Sequence, residues 1–394
     1  METRNPDLAL RSRQLFEQLV SWRRDFHRYP ELSFQEKRTS ETIAAELTKL
    51  PLFKVEEKVG GHGVVASIRH GEGPVVGLRA DMDALPIQET TTHSFSSRNP
   101  GVMHACGHDA HMAVLLGTAQ LLHEDAERGR FNGTVKLIFQ PAEECCDSKG
   151  ETGAVKMLQT GRLDDIQKMV GLHMCPWRKP GEVQWHDGPS MANNDEFSII
   201  IHGSGGHAGY PQHVKDPIWM ASSLLGALYS LNGRRMDPLE VGTLSIGRVQ
   251  AGEAGNIIPD RLYLEGTIRS YKESVREQLL EELKQTLTIV TALGGNYDLT
   301  VQRGEPALVN DRDINTAIKT AAGSLKLIEG PFGMGSEDFS FYTKTIPGAM
   351  FFLGCGLTKE KSLHQSDFDL DEQALPHGVQ VLLGSAYELL ERGG

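Results

Sequence analysis

From His104 to His111 the chain reads His-Ala-Cys-Gly-His-Asp-Ala-His, placing five metal-capable side chains within eight residues. The apolar run that follows has the composition of a helix, so Cys106 and His108 stand at a helix N-terminus. There the peptide dipoles and unsatisfied amides favour a thiolate. A thiolate and an imidazole two residues apart can grip one divalent cation. One cluster does not complete a metal site, and further donors follow segments that read as strand or loop ends: Glu143 and Glu144, His173, and His364.

The adjacent glutamates carry the most information. On extended backbone, neighbouring side chains point to opposite faces, so one carboxylate can ligate metal while the other faces substrate. A carboxylate beside an activated water is the general base that metal-assisted hydrolysis requires. Each donor has a plainer alternative: a solvated Glu-Glu loop, a core histidine at 173, a surface-loop histidine at 364. A cysteine nucleophile at Cys106, served by His108 and Asp109, is disfavoured, because a thiol two residues from its base on a helix rarely has attack geometry.

The elements that must position these groups follow from apolar periodicity. Leu15, Leu19, Trp22 and Phe26 mark one face of an opening helix, and a second helix begins near Ser40. Val64–Ile68 and Val75–Leu78 read as strands joined by a turn at His70–Gly73, and Gly107–His123 as a helix. Val135–Phe139 and Met169–Leu172 look like strands buried on both faces. This alternation predicts an α/β domain with a mostly parallel central sheet. In such sheets ligands gather at the carboxyl ends of strands, where Asp81, Asp83, the glutamate pair and His173 fall.

Between residues 193 and 303 the order becomes strand, helix, two strands, helix, strand, which is a ferredoxin-like (βαββαβ) unit. Its candidates are Phe197–Ile201, Pro217–Leu231, Val241–Val249, Arg261–Arg269, Ser274–Leu293 and Tyr297–Val301. A helix from about Asp313, the strand Ala349–Leu353 and a final helix ending near Arg392 resume the α/β texture. The expected organisation is a larger domain, 1–192 and 304–394, with 193–303 inserted into it.

Composition narrows the function classes. The 394 residues exceed one ordinary core, and 39% apolar with 23% charged residues is globular usage. No window approaches the ~20 apolar residues of a membrane span, and Met1–Arg13 lacks the apolar segment of a signal peptide. A net charge of -12 disfavours nucleic-acid and anionic-membrane partners. Five unevenly spaced cysteines argue against a disulfide framework and for a cytoplasmic protein.

The chain resembles the dinuclear metallopeptidases of family M20, and within them the amidohydrolase branch of hippurate hydrolases, N-acyl-L-amino acid deacylases and auxin-conjugate hydrolases. The resemblance runs nearly end to end, through HRYPELSFQE, RADMDALPIQE, MHACGHDAHMA, IFQPAEE, GLHMCP, GSGGHAGYPQHVKDPI, AGNIIPD, GTIRS, GSEDFSFY and LHQSDFDLDE. It implies two divalent ions held by Cys106, His108, Glu144, His173 and His364, with the Cys106 thiolate bridging them. It implies Glu143 as general base, Asp83 as a carboxylate supporting the ligands, and Asp109 as a group orienting an imidazole. Where sister branches carry a histidine ligand this chain has Asp81, so His108 takes that role.

In the inserted domain the resemblance gives His207 the polarisation of the scissile carbonyl, often from the partner subunit, with Asn256 near the same oxygen. Arg269 would clamp the substrate carboxylate as a bidentate donor, with Gly335 and Ser336 beside it. The loop Cys145–Gly150 departs from the branch, which runs on through glycines. The expected reaction is hydrolysis of an N-acyl-L-amino acid, with a water shared by two ions attacking while Glu143 moves the proton. The lid closes about hinges near Asn193 and Arg303. Mixed sulfur, nitrogen and oxygen donors admit Zn, Mn, Co or Ni. A homodimer through the inserted domain is expected, with a tetramer as the variant. The rival functions are a dipeptidase or carboxypeptidase, and an inactive binding protein.

Overall fold

Strands that are mostly apolar on both faces need cover on both faces, and that requirement shapes the larger sheet. In the computed structural model, which describes residues 4–359 and 361–392, Val75–Asp81, Lys168–Cys175 and Gly348–Gly354 are buried almost throughout. Residues 1–3, 360 and 393–394 of the expected segments 1–192 and 304–394 lie outside those described.

The chain divides into two compact units, one of residues 1–188, 309–332 and 338–394, the other of 189–308 and 333–337. The first contains an eight-stranded sheet in the order Lys54–Val59, Gly63–His70, Gly133–Gln140, Val75–Asp81, Lys168–Cys175, Gly348–Gly354, Glu182–Trp185, Lys326–Glu329. Its four central strands, from Gly133–Gln140 to Gly348–Gly354, are mutually parallel. Antiparallel partners flank them on each side, giving the expected α/β class with its mostly parallel central sheet.

The helix His108–Glu127 is buried along nearly its whole length. It packs with Leu375–Glu391 and Phe16–Arg28 around one core that includes Leu19, Phe26, Leu115, Val379 and Leu382. Gly107 precedes it at φ 97°, a left-handed conformation that favours glycine. A Cβ there would come within 3.0 Å of Met174 Cβ.

Several expectations are corrected. The helix marked by Leu15, Leu19, Trp22 and Phe26 is present as Phe16–Arg28, and a further helix, Arg4–Gln14, precedes it, ending where the Leu15 amide bonds back to Ser12 at 3.2 Å. The second helix begins at Lys37 rather than Ser40. The helix expected over Ser274–Leu293 breaks into Glu273–Thr286 and Thr288–Ala292. The strands Lys54–Val59 and Lys326–Glu329, at the two sheet margins, and the four-residue Glu182–Trp185 lie outside the expected set, since short or charged strands carry little apolar pattern.

The second unit has a four-stranded antiparallel sheet in the order Gly242–Ala251, Arg261–Ser270, Asp195–His202, Asn296–Arg303. With the helices Pro217–Arg234 and Glu273–Thr286 it realises the βαββαβ connectivity, over its own core of Ile199, Leu224, Leu264, Leu279 and Leu283. Its buried ion pair joins Asp195 to Arg276, whose Nε lies 2.8 Å from Oδ2.

Candidate metal centre

Parallel pairing puts the ends of neighbouring strands side by side. Asp81 is in register with Gln140, and Phe352 with His173. Two short bridges, Leu32 with Ala84 and Leu85 with Met103, then draw the segments following Tyr29, Asp81 and Val102 to the same edge. Cys106 and His108 arrive from the helix start, and His364 from a loop whose His364 amide donates to Ala105 O at 2.8 Å.

Six of the expected residues meet there. Cys106 Sγ lies 3.4 Å from His173 Nε2 and 3.3 Å from His364 Nε2. His364 Nε2 is 3.4 Å from Glu144 Oε1. His108 Nε2 is 3.8 Å from Glu144 Oε1 and 4.0 Å from Glu143 Oε2. The donor atoms form overlapping groups, each within 4.8 Å: Cys106 with His108 and His173, Cys106 with Glu144 and His364, and His108 with Glu143 and Glu144. Cys106 is common to the first two, as a thiolate serving two cations would be.

Three observations fit this set to divalent cations. Ligands held at about 2.0–2.3 Å by a tetrahedral ion stand about 3.3–3.8 Å from one another, a range that holds the Cys106–His173, Cys106–His364 and His364–Glu144 separations. Buried His108 Nε2 and Glu144 Oε1 have no hydrogen-bond partner among the described residues, a cost that a cation would remove. The second nitrogens of two imidazoles are occupied, His108 Nδ1 by Asp83 O at 2.9 Å and His173 Nδ1 by Met174 O at 2.8 Å. That aims each Nε2 at the cluster.

The electrostatics of the side chains alone divide: His173 is held in its ligating form, whereas Cys106 and His108 keep their protons until a cation replaces them. Burial, then the charges of Glu144, Glu143 and Asp81, push the Cys106 thiol well above its usual range. A thiolate at this position therefore needs cationic partners. Burial, then nearby His111, pulls His173 down to about 3, keeping it in the neutral form that ligates metal. For His108, burial is outweighed by Asp81, Asp83 and Glu144, which push it up to about 10.

Two local expectations differ from what is found. The glutamate pair does not lie on extended backbone: Ala142 has φ 48°, the chain bends at Glu143 and Glu144, and both carboxylates approach the same His108 nitrogen. The alternation rule assumes a strand, which has already ended at Gln140. Asp109 holds Arg23 Nε at 2.9 Å and His27 Nδ1 at 2.8 Å, so the imidazole it orients is His27, outside the donor set.

Asp83 accepts the Glu144 amide at 3.0 Å and the Ser33 hydroxyl at 2.7 Å. Asp81 is occupied otherwise, binding Arg79 NH1 at 2.6 Å and His111 Nδ1 at 2.5 Å. Arg79 is itself buried and also binds Gln140 and Asp338. Ser33, Glu36, Arg79 and Asp338 fall within the quoted motifs, yet no metal-ligand spacing marks them. Polar residues within apolar strands or just before a helix were the available signal.

The second unit carries the remaining candidates. The short strand Gly206–His207 pairs with Ile257–Ile258, and Ala208 N donates to Asn256 O at 3.1 Å, so His207 and Asn256 are neighbours. His207 Nδ1 accepts the Gly209 amide at 2.9 Å, which leaves the proton of the neutral ring on Nε2. Arg269 NH1 donates to Met334 O at 3.4 Å, next to Gly335 and Ser336.

The model of Peptidase family M20/M25/M40 matches residues 77–388. N-acetylcysteine deacetylase of Bacillus subtilis (strain 168) is 38% identical over 377 residues, covering 95% of this chain and 97% of that protein. IAA-amino acid hydrolase ILR1-like 4 of Arabidopsis thaliana is 37% identical over 378 residues, covering 93% and 84%. The crystal structure of the Bacillus subtilis YXEP protein, described as a dinuclear metal binding peptidase from the M20 family, superposes with a TM-score of 0.84. It is 34% identical, covering 96% of this chain and 99% of that one. With its family match extending over most of the chain and these relatives aligned almost end to end, the protein belongs to the M20 peptidase family and is a hydrolase acting on amides.

Proposed function

We propose that the protein hydrolyses N-acyl-L-amino acids using two divalent ions held by Cys106, His108, Glu144, His173 and His364. The observation that carries this reading is the approach of Glu143 to the same imidazole nitrogen as Glu144, which puts a second carboxylate beside the donor set. The acyl preference draws on the two relatives whose names describe a deacetylase and an amino-acid-conjugate hydrolase.

When bound, the ions supply Lewis acidity that lowers the pKa of the attacking water and polarises the substrate carbonyl. Glu143 takes the water proton on a carboxylate oxygen and returns it to the departing amine nitrogen. Asp83, through the Glu144 amide and the His108 ring, keeps two ligands in place. His207 offers its Nε2 proton to the carbonyl oxygen, from this chain or from a second copy, with Asn256 beside it. Arg269, Gly335 and Ser336 hold the substrate carboxylate. Residues 1–192 and 304–394 then form the catalytic domain and 193–303 the lid and dimerisation domain. Exposed Ile218, Trp219 and Tyr229 on one helix, with the open sheet margin at Gly242–Ala251, support a homodimer through it.

The test is turnover of N-acetyl, N-benzoyl and N-indoleacetyl amino acids against dipeptides bearing a free α-amino group, after reconstitution with Zn, Mn, Co or Ni. Cleavage of the acyl series with the dipeptides spared is the expected result. The opposite pattern establishes a second reading, a dipeptidase or carboxypeptidase, which the peptidase description of the YXEP protein favours. Turnover lost to a chelator and restored by metal eliminates an inactive binding protein.

A further inference from the structure

Among the described residues, four that are not glycine have left-handed backbone: Phe34 at φ 65°, Lys58 at 60°, Ala142 at 48° and His364 at 60°. An L side chain disfavours this region, so surrounding contacts must hold it. For two of the four the contact is the same atom. Glu36 Oε1 accepts the amide of Phe34 at 3.0 Å and the amide of Ala142 at 2.8 Å, across more than a hundred residues of chain. Glu36 is fully buried and immediately precedes the helix Lys37–Thr48, which fixes its backbone.

Ala142 directly precedes Glu143 and Glu144, so its conformation aims both carboxylates. The rest of the turn is also gripped. Ala142 O accepts the Gly153 amide at 2.8 Å, and a Cβ at Gly153 would fall 1.6 Å from Pro141 O. The Glu144 amide goes to Asp83 Oδ2, which also takes the Ser33 hydroxyl, one residue before Phe34. The two left-handed residues are thus tied together by one carboxylate and flanked by a second tie.

We propose that Glu36 is a positioning residue for amide hydrolysis, holding Phe34 and Ala142 in left-handed backbone and so setting where Glu143 and Glu144 stand. The proposal rests on the reading of Glu143 as general base. It predicts a role for one acceptor oxygen rather than for a charge. Burial, then the Asp83 charge, pushes the Glu36 carboxyl up to about 8, so an amide is a close mimic at neutral pH.

The experiment compares kcat, KM, bound metal and melting temperature for Glu36→Ala, Glu36→Asp, Glu36→Gln and the Glu36→Ala/Ala142→Gly pair. Loss of a supporting contact of this kind costs about 10–100-fold in activity, and that is the expected fall in kcat for Glu36→Ala and Glu36→Asp, with bound metal and KM near wild type. Glu36→Gln keeps the acceptor and recovers most of the rate. Glycine takes the left-handed conformation without a Cβ, so Ala142→Gly recovers part of the loss in the Ala background. If Glu36→Ala does not fold, Glu36→Asp decides, since it keeps the carboxyl and draws the oxygen back. Wild-type kcat in a folded Ala or Asp variant overturns the proposal, and so does a rate loss that follows metal loss or melting with no rescue by Gln. Glu143→Gln is measured alongside: its retaining normal turnover refutes the base assignment, whereas its loss with Glu36 variants unaffected refutes positioning alone.

Discussion

His111 Nδ1 lies 2.5 Å from Asp81 Oδ1, while its Nε2 accepts the backbone amide of Met174 at 2.9 Å. With the ring proton on Nδ1, both bonds are satisfied by one neutral tautomer. A residue of the metal-capable cluster is therefore spent on the backbone next to His173, and the Asp81 carboxylate is spent on orienting it.

Asp81 is also a partner of Arg79, and both side chains are fully buried. Removing one member of such a pair leaves an uncompensated charge, which costs about 3–5 kcal/mol. Asp81→Ala should show a loss of that order in chemical denaturation of the metal-free protein. An unchanged midpoint would mean that Gln140 and Asp338 satisfy Arg79 unaided.

Glu143→Gln should retain its ions and lose activity by about 10²–10⁴-fold, the range of a general base. Cys106→Ser should instead lower metal occupancy, read by elemental analysis after dialysis. Both ions surviving in Cys106→Ser would remove the thiolate from the ligand set.

Divalent ions that bind the folded chain and not the unfolded one raise stability by mass action. Chelation should lower the melting temperature of the wild-type protein, and Cys106→Ser should show a smaller decrease. Equal decreases would separate the stabilising ions from this cluster.

Glu89 gives a pH prediction remote from the donors. Burial alone would raise its pKa, but His27 at 3.4 Å, the Thr91 hydroxyl and the Ser97 amide at 2.6 Å lower it to about 2. A folded-state pKa below the ordinary 4.5 means stabilisation fully present above pH 4.5 and lost as pH falls toward about 2. Glu89→Gln should therefore be less stable than wild type near neutrality, and the gap should close across that acid window. A gap constant with pH would contradict the linkage.

The helix Pro217–Arg234 exposes Trp219 at 54% and Tyr229 at 57%. Trp219→Asp should convert the proposed homodimer to monomer in size exclusion with light scattering. A wild-type protein already monomeric under those conditions would dismiss the dimer.

What the residues alone encode is apolar periodicity and donor chemistry. Met169–Leu172 and Ala349–Leu353 are uninterrupted apolar runs, so the centre of the sheet was legible. The convergence of Cys106, His173 and His364 was foreshadowed by donors at the ends of such runs. Lys54–Val59 and Lys326–Glu329 were not, because strands on a margin alternate weakly and carry charge. The bend at Ala142 escaped because nothing local demands it: the oxygen that holds it belongs to Glu36. Arg23 and Arg79, both fully buried, escaped for the same reason, since a charge can be buried only by partners distant in sequence.

His364 joins Cys106 across 258 positions, and the strand Gly348–Gly354 enters the sheet between Lys168–Cys175 and Glu182–Trp185, made far earlier. During synthesis, the amino-terminal half must wait with a gap in its sheet and an unfinished donor cluster. Translation at about 5–20 residues per second leaves that wait at roughly ten seconds or more. With His364 a ligand as proposed, the site closes only after that residue clears the ribosome, and hydrolytic competence waits until almost all of the sequence described here has been translated.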